Sequence, residues 1–378
     1  MTQLDDIFSD INKQYKEEIA TKGKVRIKVP VIPFSSLTAC YNLYGGIPRG
    51  RIVEFFGVNA GGKTTTALDV VHNAQILFRN EYEKQLYDLE QIPKLTKTQE
   101  QQFNYLHTRG KGKDIVWVDC ENTFDEDWAR TLGVDVDSIY FLQPLSQSAE
   151  EIFDLIEQMV LTGEVGLVVL DSLGAMVSKQ QWEKSMEEKT YCGIAGPLTL
   201  FSKRIQYACA KTNCTFIGIN QVQDDMRSQF NLYKTPGGNA WRHMCSVRLM
   251  FNKGNCFDIN YKDLSQTAEG VVGNYVDFKV VKTKVCRHDR KNGGYTLNYT
   301  LGVDVVADLI ELAVKYGLIV QTGAWYTILG NTETNEPLID ANGEIAKFNG
   351  KQKLIDYIHN DEDIYSYLHE KITNIIIE

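Results

Sequence analysis

The sequence predicts an α/β protein: a mostly parallel sheet flanked by helices, preceded by an N-terminal helix and followed by a small α+β domain. Three observations carry that expectation. Five runs, "GRIVEFFG", "DIVWVDCE", "SIYFLQP", "VGLVVLDS" and "CTFIGINQ", are nearly continuous apolar text of strand length, the pattern of buried strands. Amphipathic stretches such as "SAEEIFDLIEQMVLTG" separate them, and strands alternating with helices give a parallel sheet with helices on both faces. The first run continues into "FFGVNAGGKTTTALDVV", a glycine loop set between a strand and a helix.

Taken in order, residues 4–19 place Leu4, Ile7, Phe8, Ile11 and Tyr15 on one helical face, and a basic link, "TKGKVRIKVP", follows. A lone helix of this length needs something to pack on, either its own core or a neighbouring subunit. Residues 1–33 therefore read as a docking helix and linker, and 34–303 as the sheet-bearing core. Residues 76–114 interrupt the strand rhythm with polar text that fits a helical pair broken at Pro93, a surface insertion. From 304 to 378 the style changes: "DLIELAVKYGLI" is helical, "GAWYTILG" strand-like, and "KLIDYIHNDEDIYSYLHEKITNIII" gives one or two helices, together a separate small domain.

The 378 residues carry 40 basic and 49 acidic side chains, a formal net charge of −9. Such a balance excludes nucleic-acid binding through the overall field, so any DNA contact must be local. No apolar run approaches the length of a membrane helix, and the acidic start "MTQLDDIFSD" is unlike a secretory leader; the expected compartment is the cytoplasm. Eight cysteines stand singly with no C-x-x-C pair, which reads as reduced, structural thiols.

Gly57 to Thr64 fits G-x-x-x-x-G-K-[ST] between a predicted strand and a predicted helix. Gly57, Gly61 and Gly62 let backbone N–H groups wrap phosphates, and the helix start adds partial positive charge. Lys63 would reach the β- and γ-phosphates of ATP, the Thr64 hydroxyl would ligate Mg²⁺, and Thr65 follows in the same turn. Asp171 ends the run "VGLVVLD", where such folds hold the metal or its waters. Phosphate loop and strand-end Asp together indicate a nucleoside triphosphatase. Hydrolysis needs a carboxylate on the water, and Glu121 past the strand competes with Asp119 inside it for that role.

The blocks "GGIPRGRIVEFFGVNAGGKTT", "VDCENTFDEDWARTLGVD", "LVVLDS", "INQ", "PGGNA", "VVKTK" and "GAWY" occur in the order and rough spacing of the bacterial RecA recombinases, which the chain resembles from about residue 4 to its end. The resemblance implies that Glu121 is the catalytic glutamate and that Asp125 and Trp128 contact the adenine, Trp128 standing where the family usually has Tyr. It implies that Tyr299 is where a neighbouring subunit touches the nucleotide's other side, and that Gln221 senses the γ-phosphate. Lys282 and Lys284 match lysines that cross to the neighbour's ATP, a charge-stabilising role supplied in trans, while Arg287, Arg290 and Lys291 extend the basic run.

The polar segment 222–239, "VQDDMRSQFNLYKTPGGN", is of functional length; backbone N–H groups near Gly237 and Gly238 suit phosphates and Phe230 suits a base wedge. By the resemblance it is the second DNA loop, carrying Arg227, Phe230, Gly237, Gly238 and Asn239; Asp224 and Asp225 depart from what DNA favours. The first loop would span about 183–193, ending at Gly193, and is more acidic than the family's. Pro197 replaces a family arginine, Arg204 matches a DNA-contacting one, and His243 replaces an interface aromatic. The implied function is a DNA-dependent ATPase that uses ATP and Mg²⁺ and self-assembles as an open helical homo-oligomer on single-stranded DNA. It would pair that strand with homologous duplex DNA for recombination and repair. The rivals are a RecA-fold ring helicase and an ATP-switched, filament-forming DNA-binding protein with little hydrolysis.

Overall fold

The apolar runs assemble into one sheet of ten strands among the described residues. The computed structural model describes residues 3–15, 29–184, 193–224, 233–339 and 343–377. The strands are β1 (Ile52–Gly57), β2 (Asp114–Asp119), β3 (Tyr140–Leu142), β4 (Val165–Asp171), β5 (Thr215–Gln221), β6 (Val247–Phe257), β7 (Asp263–Leu264), β8 (Gly273–Thr283), β9 (Asn292–Asn298) and β10 (Gly302–Val303). Their order is β10-β9-β8-β6-β1-β5-β4-β2-β3, with β7 on β6. From β6 to β3 every pair is parallel; β8, β9 and β10 extend the sheet antiparallel. Register sets Gly57 beside Gln221 and Asp119 beside Asp171, so four parallel strands end at one edge. Ligands in open α/β sheets bind at that carboxyl edge.

β1, β4 and most of β2 and β5 are buried along their length, as continuous apolar text requires. β3 is the exception. Its run was expected to be buried, yet Tyr140 and Phe141 are 54% and 39% exposed, because β3 closes the sheet and pairs only with β2. An apolar run at a sheet's end reads in sequence like one at its centre.

The residues 1–30 and 31–378 are two compact units. In the first, α1 (Gln3–Tyr15) leaves Leu4 and Ile7 exposed and Phe8 and Ile11 half-buried. In the second, α2 (Leu37–Asn42) precedes the sheet, and α3 (Lys63–Glu90) runs for 28 residues from the glycine loop. The expected helical pair therefore has α3's own far half as its first arm. The second arm is α4 (Lys97–Arg109), opened by a capping box between Thr96 and Gln99 and closed by Gly110 in the left-handed region. Arg109 fastens this return to the sheet through Asp114 at 2.8 Å and Glu164 at 3.3 Å. Further helices are α5 (Glu126–Thr131), α6 (Ala149–Leu161), α7 (Ala195–Thr212) and α8 (Gly238–Met244).

The segment 304–378 has its own four-stranded sheet and the helices α9 (Val305–Lys315), α10 (Lys351–Asn360) and α11 (Glu362–Ile377). Its apolar interior is continuous with the core's: Leu309, Ile358 and Ile372 belong to the same buried cluster as Phe55 and Ile217. Two buried carboxylates grip the entry to α2. Asp69 on α3 accepts the Ser35 N–H at 3.1 Å, and Asp308 on α9 accepts the Ser36 hydroxyl and the Thr38 N–H at 3.0 and 2.9 Å. No helix among the described residues is long and apolar enough to cross a membrane.

Candidate nucleotide site and the feet of the loop 222–239

The site begins where β1 turns into α3. Gly57 has φ 152°, and a Cβ there would stand 2.1 Å from the Phe251 carbonyl oxygen. Gly62, at φ 89°, caps α3, and a Cβ on it would meet Val276 at 2.7 Å. Only glycine satisfies both the conformation and the space. The loop therefore brings free N–H groups to the start of a long helix, an arrangement suited to phosphate. Lys63, 8% exposed, donates to the carbonyls of Gly57 and Val58 at 3.2 and 2.7 Å. Burial lowers its pKa, opposed by the carboxylates of Asp171 and Glu121.

Thr64 and Asp171, the two expected metal residues, are brought together: the hydroxyl donates to Asp171 Oδ2 at 2.8 Å. Burial raises the Asp171 pKa to about 6; the Thr64 bond lowers it, and Glu121 and Asp119 raise it further. An anionic, buried oxygen beside a hydroxyl is a fitting pair for Mg²⁺, which takes few protein oxygens and completes its shell from phosphate and water.

Glu121 follows β2 and shares the edge with Gln221 at the end of β5. Gln221 donates Nε2–H to Glu121 Oε1 at 2.9 Å, and the Ser172 hydroxyl bonds the same oxygen. Asp119, the rival base, accepts backbone N–H groups of Glu121, Thr123 and Phe124 at 3.2, 3.4 and 3.2 Å. It is buried and shapes the turn that presents Glu121. Glu121 opens on a cavity of about 490 Å³ that Gln221, Val222 and Pro236 also line.

A second cavity, about 470 Å³, lies over the glycine loop between Thr65, Trp128, Lys253 and Tyr299. Trp128 donates its indole N–H to Thr65 Oγ1 at 3.3 Å. Tyr299, which the resemblance puts at the nucleotide, lines this cavity with Thr65 and Trp128. Asp125 does not line it; its carboxylate caps α5 by accepting the Trp128 N–H at 2.9 Å. Lys253 and Asn274 line the cavity and were missed from sequence, being polar positions in long alternating strands with no motif around them.

Among the described residues the ends of the two candidate DNA loops meet: a Cβ on Gly237 would stand 2.4 Å from Leu198 Cδ2, and one on Gly238 3.8 Å from Ala195 Cβ, in the first turn of α7, which Gly193 precedes. Of the first loop, 183–193, only Glu183, Lys184 and Gly193 are described, and Gly193 has φ 44°. Arg227 and Phe230 lie outside the described residues. Gly237, at φ 100°, caps α8, which begins with Gly238 and Asn239. Arg204 on α7 is taken up by α6, bonding Asp154 at 3.1 Å and Glu157. Lys282 donates to the Arg242 and His243 carbonyls at 2.5 and 3.0 Å, and Lys284 to His243 at 2.6 Å, at the carboxyl end of α8. Burial and the Lys284 charge lower the Lys282 pKa.

Sheet order, glycine loop and strand-end carboxylates define a P-loop nucleotide-binding fold. The model of the RecA N-terminal domain matches residues 2–80 and 96–304. Protein RecA of Chloroherpeton thalassium is 30% identical over 333 residues, 86% of this chain and 80% of that protein. Protein RecA of Nocardioides sp. is 28% identical over 373 residues, 98% and 90% of the two chains. Protein RecA of Chlorobaculum tepidum is 30% identical over 332 residues, 86% and 83%. The chain belongs to the RecA family. The family model passes over residues 81–95, the far end of α3 and the break at Pro93.

Proposed function

We propose that this protein is a DNA-dependent ATPase of the cytoplasm that polymerises on single-stranded DNA and pairs it with homologous duplex. The observation that carries the reading is the bond from Gln221 to Glu121, which joins the candidate base to the strand from which the loop 222–239 departs.

In this reading the glycine loop and Lys63 bind the phosphates of ATP, and Trp128 and Tyr299 flank its base. Thr64 and Asp171 would hold Mg²⁺, which supplies positive charge to the phosphate oxygens. Glu121 orients a water and accepts its proton. Gln221 has two partners for one amide, the Glu121 carboxylate or a phosphate oxygen, and exchanging them is a two-state signal to the loop. Lys282 and Lys284 leave the α8 carbonyls for the neighbour's nucleotide, so turnover requires assembly. A head-to-tail contact of this kind, when its rotation does not close, gives an open helix.

The test is ATP hydrolysis with Mg²⁺, alone and with single-stranded DNA, beside Lys63→Ala, followed by strand exchange with a homologous duplex. DNA should stimulate hydrolysis, Lys63→Ala should lower kcat by at least about 10²-fold, and paired product should form. Unwinding by a closed ring without pairing would instead identify a motor, and DNA-independent turnover would sink the reading.

A further inference from the structure

The segment 222–239 leaves the sheet after Gln221 and returns at Thr235 and Pro236. Its feet pair as two short antiparallel strands, Gln223 opposite Lys234 and Asp224 opposite Tyr233. A ribbon of two rungs is marginal on its own. Beside these feet lies a buried polar cluster that neither phosphate binding nor hydrolysis uses. Asn220, fully buried, donates Nδ2–H to the Pro236 carbonyl at 3.1 Å and to Glu54 Oε1 at 3.0 Å. Its Oδ1 accepts the Gln221 backbone N–H at 3.1 Å. One side chain thus bonds both the departure and the return of the loop.

The cluster fixes Asn220 in that role. Glu54 is fully buried on β1, and its second oxygen takes the Arg248 guanidinium from β6, the residue beside it in register. Arg248 also reaches Thr235 Oγ1 at 3.4 Å. Buried charges and amides are tolerated only with their bonds made, so the cluster favours one arrangement and resists partial ones. The next residue has one seat as well: a Cβ on Gly237 would stand 2.4 Å from Leu198 Cδ2.

We infer that Asn220 is a positioning residue, a clasp that holds the two feet of the loop 222–239 at a fixed spacing and makes the loop's engagement of DNA follow Gln221. When a displaced Gln221 backbone draws Asn220 with it, the Glu54 bond breaks and the same amide pulls on Pro236. The DNA half of this inference rests on the recombinase reading; the clasp itself does not.

Asn220→Ala removes both ties. Asn220→Asp keeps the acceptor for Gln221, loses the donor to Pro236 and faces the Glu54 carboxylate. Thr235→Val is a milder probe that removes only the Arg248 contact. Three quantities are measured: amide hydrogen exchange of residues 233–244 without ligands, the oligo-dT concentration giving half-maximal ATP hydrolysis, and KM for ATP at saturating DNA. For both Asn220 variants exchange should quicken and the DNA requirement rise, each about tenfold, the size expected for one buried hydrogen bond. KM for ATP should stay within about twofold, a split that general loosening of the fold would not produce. Thr235→Val should move the first two in the same direction by less. Wild-type exchange and DNA requirement in Asn220→Ala would overturn the inference, as would a parallel rise in KM for ATP. If DNA fails to stimulate the wild-type protein, the recombinase reading falls and exchange alone decides the clasp: faster in Asn220→Ala supports it, unchanged overturns it.

Discussion

At the carboxyl ends of β1, β2, β4 and β5 the site's side chains bond to one another: Thr64 to Asp171, Gln221 to Glu121, Trp128 to Thr65. In the parts assigned to DNA or to a neighbouring subunit the bonds lead elsewhere, Arg204 to Asp154 and Glu157, Lys282 and Lys284 to the end of α8. The first region is preorganised by sheet register, which puts strand ends side by side whatever the ligand. The second is made of groups that a single chain satisfies internally, and that must exchange those partners to act. In the first region the exchanges a ligand would ask for, such as Gln221 leaving Glu121, stay within one chain, whereas in the second they make the response conditional on DNA or a neighbour.

The sharpest test of this contrast is Glu121→Gln. It should lower kcat by about 10²- to 10⁴-fold, the worth of a positioned base, while ATP affinity changes little, read by single-turnover kinetics and equilibrium nucleotide binding. An equal loss of DNA affinity at saturating ATP would show that the regions are not separable.

A second test concerns the carboxylates outside both regions. Burial raises the pKa of Asp69 and of Asp308 to about 6. Between the ordinary carboxylate range and pH 6 the folded chain keeps protons that the unfolded chain has lost. Their contribution is therefore fully present at low pH and is lost as pH rises through about 6. Thermal melts of the ligand-free protein should show Asp69→Asn and Asp308→Asn flattening the pH dependence between about pH 4 and pH 6.5. An unchanged slope in both variants would refute the assignment.

The smallest effect is expected at Arg204. Held by two carboxylates, it should contribute little to DNA, and Arg204→Ala should weaken single-stranded DNA binding by no more than about threefold, with a salt slope reduced by less than one. A loss of tenfold or more would mean that DNA opens the pairs with α6 and that Arg204 exchanges partners as the two lysines are expected to.

The same division governs what the sequence made legible. Gly57, Lys63, Thr64 and Asp171 can be named from sequence because a loop between a strand and a helix, and the end of a buried strand, are local patterns with one geometric outcome. Asp119 and Glu121 compete on position, and the resemblance favours Glu121; in the fold the Asp119 carboxylate is taken up by three backbone N–H groups. Asp125, which the resemblance puts on adenine, also caps α5, a second use that its place at a helix start allows. Apolarity predicted β3 but not its exposure, which depends on the sheet ending there. The Asn220 cluster was out of reach for another reason: its Glu54 partner lies 166 residues away, and only strand order makes them neighbours.

The length of α3 has a mechanical consequence. The helix that starts at Lys63 continues to Glu90, about 42 Å at 1.5 Å per residue, so the glycine-loop end and the arm over which the family model breaks are one continuous helix. With the sheet as fulcrum, a tilt of about 5° at the nucleotide would swing the tip by roughly 4 Å over that length. A tilt at the glycine loop would therefore appear at the far arm as movement, at a distance that no side chain spans.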